Sequence, residues 1–142
     1  MNISRFKEGL EELVRYYSIN RYGRDWDYCF RLSFKYDVRN FNNCRRLMKK
    51  LWKKFKNECL VDGVYIMEYG ENGKIHVHGC MICDLSNSSV EDLFKKYWGS
   101  GGGFFWLEEF DRDKENYNLY MTKDNYKNDL FDYDLISNLY KS

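Results

Sequence analysis

The stretch MEYGENGKIHVHGCMI, residues 67–82, decides how the rest of the chain is read. GENG at 70–73 is a hairpin turn. A strand over 63–69 leads into it and a strand over 74–83 leads out. His76 and His78, the chain's two histidines, both stand on the return strand. Side chains at i and i+2 of a strand share a face, so both imidazoles project together, beside Cys80 and Ile82. Ile75 and Val77 fall on the opposite face and anchor the strand in the core.

Outward from this hairpin the hydrophobic period alternates between strand and helix. DYCFRLSFKY, 27–36, sets Tyr28, Phe30, Leu32, Phe34 and Tyr36 on one face and Cys29, Arg31, Ser33 and Lys35 on the other. Residues 41–60 switch to helical spacing through Cys44, Leu47, Met48, Leu51, Trp52, Phe55 and Cys59. Ser88 with Glu91 reads as a capping box opening a helix that runs to about Trp98. GSGGG at 99–103 reads as a flexible loop, and FFWLEEF at 104–110 as a fourth strand. A helix from about Lys114 to Lys127 and a short tail helix are expected to follow. Ile3, Phe6, Leu10, Leu13, Val14 and Tyr17 predict an amphipathic helix over 3–18. The order is a helix, then βαββαβ, then a helix. That predicts one α+β domain over 1–142 with a ferredoxin-like antiparallel sheet and the third strand at its centre.

Composition sets the outer limits. The chain of 142 residues is 44% hydrophobic, enough for a core without disulfides. No apolar run approaches the ~18 residues of a membrane span. The opening MNISRFKEGLEELVRYY is too charged for a signal peptide. Five cysteines, an odd number, fit a reducing, intracellular setting: the cytoplasm, or a host cell. Cys80 and Cys83 fall on opposite faces of a strand, which opposes a shared metal and favours buried free thiols.

A net charge of +1 does not mark a nucleic-acid binder. Its distribution does: Arg45, Arg46, Lys49, Lys50, Lys53, Lys54 and Lys56 stand against one acid, Glu58, between 45 and 58. Such a run predicts contact with a polyanion, or else the solvated face of a core helix. Trp52 and Phe55 on its apolar stripe read as core.

Glu68 stands near the end of the strand before the turn, with seven residues between it and His76. Two imidazoles and a carboxylate with open positions would suit a catalytic metal; two hydrogen-bonded imidazoles are the alternative. A nucleophile is sought among 13 tyrosines, of which Tyr120 alone has a lysine, Lys123, at +3. On a helix that pair shares a face. A tyrosyl oxygen, a divalent ion and a fixed ammonium are what phosphodiester transesterification requires. An aromatic packed on the sheet is the plainer reading of Tyr120.

HVHG, preceded by FRLSF and followed by YMTKD, resembles the three ordered motifs of the HUH rolling-circle replication initiators of viruses, phages and plasmids. The acid upstream of the first histidine, Glu68 with seven residues between it and His76, is also similar to virus-type members. The resemblance covers residues 28–124. It departs from the family in LSF, where a Thr is usual, and in the additional N-terminal helix. The resemblance implies a nicking and joining enzyme for single-stranded origin DNA that forms a 5′-phosphotyrosine through Tyr120, assisted by Lys123. It also implies Mn²⁺ or Mg²⁺ at Glu68, His76 and His78, and phosphate contacts from Arg45, Arg46, Lys49, Lys50, Lys53 and Lys54. No nucleotide-binding G-x-x-x-x-G-K-[ST] is present, so a helicase, like the polymerase, would be a partner from the host or virus. One tyrosine per chain makes a homodimer a natural arrangement for cutting and rejoining. A single-tyrosine HUH transposase and a non-catalytic ferredoxin-like nucleic-acid-binding protein are the competing functions.

Overall fold

The computed structural model describes residues 25–70, 73–99, 101, 103–110 and 131–136. The expected helices over 3–18 and 114–127, and with them Tyr117, Tyr120 and Lys123, lie outside the described residues. Five strands form one antiparallel sheet: β1 Tyr28–Phe34, β2 Val61–Tyr69, β3 Ile75–Cys83, β4 Gly103–Glu109 and β5 Phe131–Leu135. Their order is β4-β1-β3-β2-β5, which puts β3 in the middle. Helix α1, Phe41–Lys56, joins β1 to β2, and α2, Asn87–Phe94, follows β3. The molecule is thus α+β. Among the described residues no helix is long and apolar enough to cross a membrane.

Alternation decides which side chains meet the helices. Tyr28, Phe30 and Leu32 of β1, Tyr65 and Met67 of β2, and Ile75 and Val77 of β3 join Cys44, Met48, Leu51, Trp52 and Phe55 of α1 in one buried cluster. Trp52 is central: its ring meets Phe30 edge-on at 5.3 Å and Phe55 at 5.3 Å. Each such pair adds about 0.5–1.5 kcal/mol beyond the area it buries. On the other sheet face a smaller cluster gathers Trp26, Cys29, Val64, Ile66 and Cys80. Cys80 and Cys83 do fall on opposite faces: Cys80 meets Cys29, whereas Cys83 meets Cys59.

Several boundaries differ from expectation. β1 ends at Phe34, and Tyr36 is exposed rather than part of the core face. Helix α1 stops at Lys56; Cys59 lies beyond it but still packs on the core. The N-cap of α2 is Ser86, whose Oγ accepts from the Ser89 amide, not Ser88. That helix gives way at Lys95 to a π-helical turn, Lys95–Gly99, in which Trp98 is buried and donates to the Phe104 carbonyl at 3.0 Å. Most informative is β5, a fifth strand that the βαββαβ expectation did not include; the short tail helix expected to close the chain has no counterpart among the described residues. Its residues line the free edge of β2, with Phe131 opposite Glu68. Asp132 and Asp134 bind the Arg45 guanidinium at 2.5 and 3.1 Å, so a long-range ion pair ties this strand to α1.

Gly79, next after the second histidine, has a packing reason. It stands opposite Phe30 on the helix side of the sheet, where a Cβ would lie 2.0 Å from the Phe30 ring. Phe30 is buried against Trp52 and Phe94 and has nowhere to go. Gly79→Ala should therefore destabilise the fold by about 1–3 kcal/mol through overpacking. Urea unfolding of the two proteins measures it; an unchanged midpoint would mean that the ring yields freely.

Candidate metal centre

Glu68 and His76 are direct cross-strand partners between β2 and β3. His78 follows two residues on along the same strand and face. All three point away from the helices, onto the side of the sheet that carries Val64, Ile66 and Cys80. The Glu68 Oε1 lies 2.8 Å from His76 Nε2 and 2.5 Å from His78 Nε2. The two imidazole rings stand edge to face, 4.7 Å between centroids. Side-chain exposure grades across the site: 2% for Glu68 and His78, 25% for His76. One flank of the triad is therefore sealed in protein and the other opens to solvent.

Electrostatics hold the carboxylate ionised. Burial pushes the Glu68 carboxyl up, but hydrogen bonds and charge from His76 and His78 together outweigh it and leave it below the usual carboxylate value. Its second oxygen, Oε2, is buried without a hydrogen-bond partner. An unsatisfied buried carboxylate oxygen is costly, and a cation is one group that would satisfy it.

The donor atoms of the three residues all lie within 4.8 Å of one another. Metal bonds of about 2.0–2.2 Å hold neighbouring ligand atoms roughly 3.0–3.5 Å apart. A rotation that opens the present contacts by about half an ångström would admit an ion, so these residues fit and could hold one. Two imidazole nitrogens and a single carboxylate leave positions open to water or substrate. Glu68→Gln keeps the volume and removes the charge. It should weaken divalent-metal affinity about tenfold or more, a loss of about 1.4 kcal/mol or greater; isothermal titration with Mn²⁺ reads this directly, and equal affinity would exclude Glu68 as a ligand.

The six basic residues expected to contact phosphate all lie on α1, on the opposite side of the sheet from the triad. Arg45 is held by Asp132 and Asp134, while Arg46, Lys49, Lys50, Lys53 and Lys54 are exposed. Trp52 and Phe55 are core, as their spacing predicts.

Three residues on the triad's own face did not figure in the sequence reading as candidates. Arg31 of β1 is the cross-strand partner of His78 on one side and of Trp106 on the other. Its guanidinium lies over the Trp106 ring, 5.3 Å from the centroid. Phe104 and Trp106, both on β4, are 72% and 40% exposed. The signal was available: alternation in FFWLEEF sets Phe104 and Trp106 on the same face as Glu108, away from the buried side. Comparison with family models, with curated proteins and with solved structures found no match.

Proposed function

We propose that the chain is a metal-dependent nicking and joining enzyme for single-stranded DNA, of the HUH replication-initiator kind. The observation that carries the reading is the convergence of Glu68, His76 and His78 on one open-sided point of the central strand. The order of the first four strands, β4-β1-β3-β2 with helices between, supports a ferredoxin-like βαββαβ reading. A divalent ion held by the triad would supply Lewis-acid polarisation of a phosphoryl oxygen. Two nitrogen ligands favour Mn²⁺ over the harder Mg²⁺.

The chain's own groups have separate tasks. The Tyr120 oxygen forms a bond to phosphorus, the 3′-oxygen of the preceding nucleotide leaves, and the tyrosyl proton is lost to solvent while that oxygen takes one up. Lys123 offsets charge on the phosphorus centre. Tyr120 stands eleven positions before Phe131, whose cross-strand partner is Glu68. A tether of eleven positions spans at most about 36 Å, which leaves the triad within the tyrosine's reach. Phe104 and Trp106 offer ring faces for unpaired bases. Arg31, between them and His78, has a buried Nε without a hydrogen-bond partner and suits a phosphate.

The test is incubation with labelled single-stranded oligonucleotides and Mn²⁺, followed by denaturing electrophoresis. A covalent protein–DNA band supports the reading. A mobility shift on native gels without that band would favour a non-catalytic binding protein, and a band specific to hairpin ends of mobile elements would favour a transposase.

A further inference from the structure

Helix α1 carries no acidic residue along its sixteen positions. With Arg45 engaged by β5, five cations remain exposed: Arg46, Lys49, Lys50, Lys53 and Lys54. None forms an ion pair with a described acid, although Lys54 also lies 5.9 Å from the centroid of the Tyr97 ring. At 3.6 residues per turn they cover an arc of about 140° and about 12 Å of helix axis. The apolar side of α1 is buried against the sheet, so this stripe faces directly away from it. The triad lies beyond the sheet, on its other face. A strand seated at the triad would have to wrap around the sheet's edge to reach the stripe.

We propose that the outer face of α1 is a second nucleic-acid site, one that holds the phosphate backbone of double-stranded DNA apart from the metal centre. Composition separates the two faces. Single strands are held by cations together with aromatic platforms, because their bases are free to stack. Duplex DNA hides its bases and offers phosphates, so cations alone are what a non-specific duplex contact needs. The described exposed large hydrophobics are Tyr36, Leu60, Phe104, Trp106 and Tyr133, and none is on α1. An axis length of about 12 Å spans three or four phosphates of one strand at about 3.4 Å rise. An anionic membrane would feel the same charge, but a surface-bound helix also needs apolar side chains to insert, and this face presents none. The inference goes beyond the nicking activity and does not depend on it.

The experiment uses the full chain carrying Lys49→Gln, Lys50→Gln, Lys53→Gln and Lys54→Gln together, with fluorescence anisotropy on a labelled duplex and on each of its separated strands. Duplex affinity should fall about 100-fold at 0.1 M salt, and the log–log salt slope should become shallower by about 3–4, while single-strand affinity stays within about threefold. The corresponding four Lys→Arg changes should preserve duplex binding. Equal losses on duplex and single strand, an unchanged duplex slope, or failure of the Lys→Arg protein to bind would overturn the proposal. So would wild-type binding to phosphatidylserine vesicles with none to duplex. Unaltered circular dichroism and Tm in both variants show that the fold is kept.

Discussion

His76→Ala is expected to lose Mn²⁺ binding by more than about 100-fold, because it removes one of two nitrogen donors and leaves a bidentate remnant. The position allows a clean test. His76 is the most exposed of the three candidate ligands, so truncation leaves no sealed cavity, and Glu68 keeps His78 as a partner. In the wild type, Mn²⁺ at a hundred times its dissociation constant should stabilise the fold by about 2.7 kcal/mol. For a chain of this size that is roughly 5–10 °C in Tm. The variant should show no such rise and form no covalent adduct, while keeping most of its single-strand affinity. Full cleavage by His76→Ala in Mn²⁺ would remove the triad from the chemistry.

Tyr120→Phe is expected to abolish the adduct completely. A free phenol has a pKa of about 10, so the attacking oxygen is a weak nucleophile that neighbouring positive charge must assist. Phenylalanine keeps the ring and deletes that oxygen. The variant should therefore bind Mn²⁺ and single-stranded DNA as the wild type does. Lys123→Ala should slow the reaction without stopping it, since an ammonium stabilises charge but forms no bond. Tyr117, three residues and so about one helical turn before Tyr120 in the expected helix, is the control, and Tyr117→Phe should stay active. Peptide mapping of the trapped adduct decides among the tyrosines: a nucleotide on Tyr117 or any other would reassign the nucleophile.

Period-2 and period-3.6 patterns carried most of the described fold. IHVHGCMI set Ile75 and Val77 toward the helices and both histidines away from them, and the structure has them so. The hairpin also brought Glu68 opposite His76, a register that a turn over 70–73 does not give, since it would set Glu68 against Ile75; the closing pair is Gly70 with Lys74. What else escaped was non-local. FDYDL resembles no strong strand, and its pairing rests on the free edge of β2 and on Arg45, 87 and 89 residues away. No local pattern reports such a partner. The same holds for the basic run: spacing showed a cationic face, but only sheet topology tells which side of the molecule it occupies. Nor does alternation alone distinguish Ser86 from Ser88 as a cap, since both carry the same hydroxyl.

The metal centre is the point on which the account turns, and anomalous diffraction at the manganese edge from a Mn²⁺-soaked crystal tests it most directly. The account predicts one peak about 2.0–2.3 Å from Nε2 of His76, Nε2 of His78 and an oxygen of Glu68. A peak elsewhere, for example at Cys59, Cys83 and Asp84, whose ligand atoms also cluster, with none at the triad, would contradict it.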